Sequence, residues 1–170
     1  IEFTLSTKNI VTKGFDWNSD FIFSNSKNEV TDLKSNASII DLVTGSGFAR
    51  EGYPVRGLFS IPFLGLNEDG FPMFRNSDGS VTVTDINFQE RENVDFLIYE
   101  GPTDPTITGS FGNIFRYKNF RLNIFLTYSF GNKIRLDPVF SNKYTDLTAM
   151  PKEYKNRWVI PGDEATTNIP

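Results

Sequence analysis

The chain has 170 residues, of which 38% are hydrophobic and 22% are charged, and it carries a net charge of −4. This balance excludes a disordered chain and a helical membrane protein, and the absence of cysteine excludes disulfides, thiolate metal sites and cysteine nucleophiles. Histidine is also absent, so the commonest general base and metal ligand are missing, and the acidic balance argues against nucleic-acid binding.

The first 24 residues predict a pair of amphipathic strands. Apolar and polar residues alternate over positions 1–6 and again over 15–24, and successive side chains of a strand point to opposite faces. The polar residues 7–14 form the predicted connection between the two strands. Because the chain starts with Ile1 inside a strand and shows no signal peptide, we expect a processed product or a piece of something longer.

Two long segments are irregular, at about residues 28–106 and 135–170. Gly, Pro, Asn, Asp and Ser recur in them every few residues, which predicts loops and turns. A connection as long as the first is unusual in compact soluble domains, whose loops have a median of ~4–6 residues, but membrane barrels tolerate it. Within these segments we expect short strands at 80–88 and 94–99, a helical turn at 90–95, and a short helix at 146–155 that Pro151 breaks.

A second amphipathic hairpin is predicted, with strands at 107–117 and 120–132 around the polar pair Lys118 and Asn119. A soluble sandwich would bury its apolar face against a second sheet, whereas a transmembrane barrel would turn that face toward lipid. Periodicity alone favours the commoner soluble architecture, while the long preceding connection favours the barrel. The apolar face carries Phe120, Leu122, Ile124, Leu126, Tyr128 and Phe130.

The motifs that could carry chemistry are weak. Four carboxylates between residues 90 and 100, among them Glu90 and Glu100, could serve a glycoside hydrolase, but no spacing places two of them across a cleft. The Asp-Gly pairs at 69–70 and 78–79 indicate turns rather than a calcium loop. Without histidine a hydrolase triad cannot be completed. We therefore expect a solvated acidic surface and assign no catalytic residue.

Aromatic side chains in the long middle segment are the clearest binding candidates, because they lie among turns rather than in alternating strands. One interpretation is a small core that holds the segment together. The other is a contact surface for a partner protein or for sugar rings. The sequence leaves both open. The binding candidates are Tyr53, Arg56, Phe59, Phe63, Phe71 and Trp158.

Several short segments follow one another in an order that is typical of one family. Through them the chain resembles the SusC/RagA family of TonB-dependent outer-membrane transporters, and the resemblance spans nearly the whole sequence. No single motif carries it, but the ordered series is specific. The matching segments are GFDW at 14–17 with NSKN at 25–28, EGYP at 51–54 with GL at 65–66 and GFP at 70–72, GSFGN at 109–113 with YKNF at 117–120, YSFGNK at 128–133, and NRW at 156–158 with PGD at 161–163.

The resemblance implies an all-β fold made of antiparallel hairpins from a 22-stranded transmembrane β-barrel with long extracellular loops. This chain would be a fragment of the C-terminal half of that barrel, over residues 1–170. The plug, the TonB box and the final strands would lie outside it. The implied location is the outer membrane of a Gram-negative cell, and neither an enzymatic activity nor a cofactor is expected.

The resemblance also implies partners. The family imports oligosaccharides or peptides, is lidded by a SusD-like surface lipoprotein, and takes energy from the TonB complex through parts absent from this chain. Membrane lipid would cover the apolar strand faces. Loop lengths place the short turns at 7–14 and 118–119 on the periplasmic side and the segments 28–106 and 135–170 outside the cell.

Two alternatives remain open from the sequence. A soluble β-sandwich carbohydrate-binding module would bury the face of Phe120 and Leu122 against another sheet of the same chain. A glycoside hydrolase fragment would use Glu90 or Glu100 as an acid. The exposure of the apolar strand faces separates the sandwich from the barrel fragment.

Overall fold

A computed structural model describes residues 1–45, 49–139, 145, 147 and 149–170. The described chain consists of antiparallel β-strands in three sheets and one α-helix of six residues. The all-β prediction is therefore confirmed. The strands are β1 (Glu2–Val11), β2 (Phe15–Asn25), β3 (Gly57–Ser60), β4 (Phe63–Leu66), β5 (Pro72–Arg75), β6 (Val81–Thr82), β7 (Ile98–Pro102), β8 (Ile107–Tyr117) and β9 (Phe120–Phe130), and the helix is α1 (Ile39–Thr44).

The four longest strands form one sheet in the order β1-β2-β8-β9. β2 and β8 pair along their whole length, from Phe15 opposite Tyr117 to Asn25 opposite Ile107. Residues 26–106 therefore leave the sheet at one end of β2 and return beside it as β8. The strands predicted at 15–24, 107–117 and 120–132 are present, with small differences at their ends.

The first strand is longer than the sequence predicted. The prediction ended it at position 6 and placed a connection at 7–14, but β1 continues to Val11. The reason is a bulge, since the pairing with β2 shifts between Lys8 and Ile10. The extra residue brings Ile10 opposite Trp17, so the alternation of apolar and polar residues is interrupted there.

Two short turns close the sheet at the end opposite residues 26–106. In the first, the Phe15 backbone N–H donates to Thr12 Oγ1 at 2.9 Å. In the second, Lys118 takes a left-handed φ of 51°, and it is the one non-glycine residue with a positive φ in the described ranges. Such a conformation suits a two-residue hairpin turn, which is the turn that the sequence predicted at 118–119.

Residues 26–106, which we call the loop body, have a hydrophobic core of their own. α1 packs on β3, and β3 pairs with β7. The helix was not predicted; it begins after Ser38, whose N–H and hydroxyl both donate to the Asp41 carboxylate, and ends at Gly45 with a φ of 68°. The core residues are Ala37, Ile39, Leu42, Phe59 and Leu97.

The short elements predicted in the loop body are only partly right. The strand expected at 80–88 is reduced to β6, and the strand expected at 94–99 begins later, as β7. Residues 90–95 are irregular, with a bend at Glu92, rather than a helical turn. Glu90 Oε1 accepts the backbone N–H groups of residues 91–93, so its side chain, and not a helical carbonyl, satisfies them.

Burial in the large sheet is the reverse of burial in the loop body. The buried hydrophobic residues of the described chain all lie between positions 37 and 97, whereas the buried side chains of the sheet are polar, namely Ser110 and Asn113. The apolar face of β9 is open, with Phe120 78% and Leu122 57% exposed. A soluble sandwich predicts the opposite, so the structure contradicts that alternative.

The C-terminal segment contains two short 3₁₀ helices, Lys152–Asn156 and Asp163–Ala165. The helix predicted at 146–155 includes positions 146 and 148, which lie outside the described residues. The helix that is observed starts at Lys152, just after Pro151, so Pro151 precedes it and does not break it. No helix within the described ranges has the length and apolar character needed to cross a membrane.

Candidate functional site

The apolar face of the large sheet is arranged in six rows that cross β2, β8 and β9. Five of the six rows contain at least two aromatic or aliphatic side chains. The first and second rows, next to the short turns, are almost wholly aromatic. The rows are Phe15/Tyr117/Phe120, Trp17/Phe115/Leu122, Ser19/Asn113/Ile124, Phe21/Phe111/Leu126, Phe23/Gly109/Tyr128 and Asn25/Ile107/Phe130.

The third row is polar and forms a hydrogen-bonded network. Asn113 Oδ1 accepts from Trp17 Nε1 at 2.9 Å and from Ser19 Oγ at 2.8 Å. Ser19 Oγ in turn accepts from Asn9 Nδ2 at 2.6 Å, and Asn9 Oδ1 accepts from Thr7 Oγ1 at 2.9 Å. Asn9 reaches this network from the bulge in β1. The network therefore ties three strands together and pairs polar groups that lie within an apolar face.

The fifth row shows a close fit between a glycine and an aromatic ring. Tyr128 lies across Gly109 and donates its hydroxyl to the Ile22 carbonyl at 2.9 Å. A Cβ built on Gly109 would lie 2.1 Å from that carbonyl oxygen and 2.3 Å from the Tyr128 hydroxyl. The ring also stacks on Phe21 and Phe130. Glycine is thus required at position 109 so that Tyr128 can cover the sheet.

The opposite face of the sheet, which we call the polar face, is mostly hydrophilic. On β9 it carries Arg121, Asn123, Thr127 and Ser129, as the alternation predicted. Its apolar exceptions on β2, β8 and β9 are Ile22, Ile114 and Phe125, and Phe125 packs near Gly112. The sheet therefore presents two surfaces of different chemistry, one apolar and one hydrophilic.

Two of the predicted binding candidates, Tyr53 and Phe59, pack at the core of the loop body. Phe59 is 1% exposed, and its ring centroid is 5.1 Å from that of Tyr53. Tyr99 completes the aromatic group, at 4.9 Å from Tyr53 and 5.5 Å from Phe59. The Arg50 guanidinium lies 5.0 Å from the Tyr53 ring centroid and forms an ion pair with Asp95. The small-core interpretation accounts for these aromatics, and no surface of Phe59 is open to a ligand.

Arg56 lies at the edge of the loop body beside a cavity. Its guanidinium is 3.0 Å from the Asp104 carboxylate, and its carbonyl accepts the Thr103 N–H at 2.8 Å. The ion pair is partly exposed, so we assign it little stabilisation. Asp104 also lines a cavity of about 590 Å³ between the loop body and the loop end of the large sheet.

The remaining candidates form an aromatic surface on the β4–β5 hairpin. The Trp158 ring packs directly on Gly70 in the hairpin turn, where a Cβ would lie 2.5 Å from the indole. Phe71 follows Gly70 and is 56% exposed. The ring centroid of Phe63 lies 5.8 Å from that of Phe74, and Phe63 is 41% exposed. The fold thus brings Trp158 onto the hairpin turn next to Phe71, from a position far away in the sequence.

Comparison with known proteins identifies relatives of the same kind. TonB-dependent receptor P3 of Formosa agariphila is 30% identical over 148 residues, which cover 78% of this chain and 15% of the receptor. TonB-dependent receptor P26 of the same organism is 28% identical over 99% of this chain and 18% of the receptor. No family model matches the sequence. Both relatives are TonB-dependent receptors, so the chain is similar to a segment of such receptors, as the resemblance predicted.

Solved structures agree on the fold of this chain. The RagAB peptide transporter superimposes with a TM-score of 0.64 at 20% identity, over 99% of this chain and 19% of that chain. The RagAB peptide importer in the open-open state superimposes with the same score over 18% of its length. The chain thus spans less than a fifth of the length of each protein that it matches here.

The two carboxylates considered as hydrolase acids, Glu90 and Glu100, both accept local hydrogen bonds. The N–H groups of Glu92, Asn93 and Arg91 hold the pKa of Glu90 below its usual range, whereas a general acid needs a raised pKa. Ser60 Oγ donates to Glu100. Asp78 accepts from Ser80 as part of a turn. In the described part of the chain, no group of three or more acidic side chains could hold a metal ion.

Sequence reasoning missed the residues that line the cavity. Lys27 and Glu29 follow β2, Tyr99 lies in β7, and Pro102, Asp104 and Pro105 precede β8. The only sequence signal was the cluster of prolines around Asp104, which indicates a fixed backbone but no ligand. Burial, with a smaller effect of Tyr53, raises the pKa of the Tyr99 hydroxyl above its ordinary value of 10.0.

Proposed function

We propose that this chain forms neighbouring strands and surface loops of a TonB-dependent importer in the outer membrane of a Gram-negative cell. The observation that carries the proposal is the apolar face of the large sheet, which no part of the described chain covers. In water such a face would promote association, whereas in a barrel it contacts lipid. The similarity to TonB-dependent receptors supports the same function for the whole protein.

The dimensions of the sheet fit a bilayer. Strands of 11 residues, such as β8 and β9, are about 34 Å long at ~3.4 Å per residue. At a tilt of ~45° they cover about 25 Å, which is close to the apolar band of membrane barrels. Aromatic rows lie near both ends, where Phe15 and Tyr117 begin the face and Phe130 ends it. We therefore place the short turns in the periplasm and the loop body outside the cell.

The loop body would form part of the outer vestibule. We propose that Phe71, Phe63 and Trp158 contribute to contact with a SusD-like surface lipoprotein, because they are the aromatic candidates with open surface or a position beside it. The transported nutrient would be an oligosaccharide or a peptide. TonB would act through other parts of the receptor. Tyr53 and Phe59 would support this surface from the core, and Arg56 would hold the edge of the vestibule.

Membrane placement can be tested by cysteine labelling, because this chain contributes no native cysteine and the unsubstituted receptor measures any background labelling. Single substitutions Glu68→Cys in the loop body and Asn119→Cys in the short turn would be made in the full receptor. A membrane-impermeant maleimide should label the first on intact cells and the second only after the outer membrane is opened. Labelling of both on intact cells, or recovery of the receptor from the soluble fraction, would contradict the proposal.

The partner surface can be tested separately by copurification. Phe71→Ala should reduce recovery of the surface lipoprotein with the receptor, and Trp158→Ala should do so more strongly because Trp158 also supports the hairpin turn. Val81→Ala removes a similarly exposed apolar side chain at β6 and serves as the control. Unchanged recovery in both aromatic variants would remove this surface from the interface.

A further inference from the structure

The segment after β9, residues 131–135, runs back from the large sheet to the loop body, and we call it the strap. Thr106 N–H donates to the Phe130 carbonyl at 3.1 Å, at the end of β9. Lys133 N–H then donates to the Pro102 carbonyl at 2.7 Å, at the end of β7. The strap therefore lies beside the strand of the loop body that pairs with β3.

The side chain of Arg135 joins the strap to the core of the loop body. Its Nη2 atom donates to the Phe59 carbonyl at 2.8 Å and to the Val43 carbonyl at 3.2 Å. Phe59 belongs to β3, and Val43 lies in the last turn of α1, where the carbonyls have no partner within the helix. One guanidinium thus holds the helix and a strand of the core to the segment that follows β9.

Hydrogen bonds, rather than burial of apolar side chains, attach the strap. Ile134 within it is 72% exposed. In the described ranges, no acidic side chain forms an ion pair with Arg135. The strap approaches β7 closely because Gly101 has no side chain, and a Cβ there would lie 2.7 Å from Lys133 Cγ. The position of the loop body against the strap therefore depends on a small number of hydrogen bonds.

Two further segments, 26–29 and 103–106, connect the loop body to the large sheet, and we call them the neck. Ser26 N–H donates to the Thr106 carbonyl at 2.9 Å, so the two segments are paired where they leave β2 and enter β8. Beyond that pair, the cavity of about 590 Å³ lies between the neck and the core of the loop body. Its wall on the core side is formed by Gly52, Pro54 and Tyr99. The neck is not packed against this wall, which leaves space for the core to move.

We propose that Arg135 is a positioning residue that fixes the angle of the loop body on the large sheet. Through the Phe59 and Val43 carbonyls it would hold the core from the side of β9, while the neck holds the core from the side of β2 and β8. Without the guanidinium, the core would swing about the neck. In the proposed importer this angle would set the shape of the outer vestibule, and that consequence alone rests on the proposed function.

Distance measurements between two spin labels in the full, detergent-solubilised receptor test this proposal. Glu51→Cys places one label on the loop body, and Leu126→Cys places the other on the exposed apolar face of β9. Pulsed electron resonance should give one narrow distance distribution, which Arg135→Gln should broaden and shift. Arg135→Lys should restore part of the narrow distribution, because an ammonium group can still donate to one of the carbonyls. Arg75→Gln removes an exposed guanidinium from β5 and is the matched control that should change nothing.

A second variant and a second readout separate positioning from stability. Lys133→Pro removes the N–H that donates to the Pro102 carbonyl and should broaden the same distance distribution. Hydrogen exchange at the amides of Leu42 and Phe59 should be unchanged in Arg135→Gln, because the core of the loop body stays folded while its angle changes.

Three results would overturn the proposal. They are an unchanged distance distribution in both strap variants, equal broadening in Arg75→Gln, and a loss of exchange protection in the core that accompanies the broadening in Arg135→Gln. The distances are measured in detergent, so they do not depend on where the loop body lies relative to the membrane. Failure of the cysteine labelling would contradict the import function and leave the positioning role of Arg135 intact.

Discussion

The large sheet and the loop body use the same residue types in opposite ways. The loop body buries Phe59, Ile39 and Leu42 within itself and exposes its charges. The sheet exposes its leucines and several of its phenylalanines, and its buried side chains are Ser110 and Asn113. A protein whose whole surface faces water would bury its apolar side chains in both regions. The difference supports the proposal that the loop body folds against water and that the apolar face of the sheet contacts lipid.

The largest expected effect comes from comparing a buried ring of the loop body with an exposed ring of the large sheet. Phe59→Ala should destabilise the loop body by ~3–5 kcal/mol, because it removes a buried ring that packs on Tyr53 and Tyr99. Phe130→Ala on the apolar face should cost far less in detergent, since that ring is 60% exposed within the chain. Hydrogen exchange of the loop body in the detergent-solubilised receptor measures the loss. Equal loss of protection in both variants would contradict the separation.

A charge placed on each face of β9 sharpens the comparison. Leu126→Arg should cost ~2–4 kcal/mol of folding free energy in vesicles, because it places an arginine in the middle rows of the apolar face. Thr127→Arg, one residue away on the polar face, should cost little. Urea titration of the receptor folded into vesicles measures both variants. A larger penalty for Thr127→Arg would reverse the assignment of the faces.

The polar network in the apolar face tests whether buried polar groups stabilise the sheet. Asn113→Leu should cost ~1–3 kcal/mol even though it adds an apolar side chain, because Trp17 and Ser19 lose their acceptor. The double variant Ser19→Ala with Asn113→Leu should recover part of this loss. The same urea titration applies. A stabilising effect of the single variant would show that lipid-like surroundings favour a wholly apolar row.

Two glycines in β8 test the fit of Tyr128. Gly109→Ala should cost ~1–3 kcal/mol, since the added methyl group meets the Tyr128 hydroxyl and the Ile22 carbonyl. Gly112→Ala should be milder, because its nearest neighbour is a Phe125 ring atom at 3.3 Å. Thermal unfolding followed by circular dichroism compares the two. Equal melting temperatures would show that Tyr128 moves without cost.

The smallest effect is a dependence of the loop body on acid. Hydrogen bonds from the Ser38 hydroxyl and N–H lower the pKa of Asp41 below its ordinary value of 3.8. Because the folded pKa is the lower one, the stabilisation is present above 3.8 and is lost as the pH falls through the folded value. The protection factors of the α1 amides, which correct for the intrinsic exchange rate at each pH, should therefore decrease below pH 3.8. Asp41→Asn should remove this dependence. Unchanged acid sensitivity in that variant would assign it to other carboxylates.

The sequence was sufficient for the long strands but not for the loop body. A period of two over Phe120 to Phe130 predicts a strand whatever surrounds it. α1 escaped prediction because six residues that include Ile39 and Val43 have little helix propensity, and packing on β3 stabilises them instead. The cavity escaped for a similar reason, since Lys27, Tyr99 and Asp104 come together only through the hydrogen bonds that join separate segments.

The most direct test of this account is a spin-label scan of β9 in the full receptor, reconstituted into vesicles. Each position from Phe120 to Phe130 would be replaced in turn by a labelled cysteine, and its accessibility to oxygen and to a water-soluble nickel reagent would be measured. The account predicts high oxygen accessibility at the even-numbered positions from Phe120 to Phe130, Tyr128 included, and nickel accessibility at the odd-numbered positions between them. Nickel accessibility at every position, or no alternation, would show that the apolar face does not contact lipid.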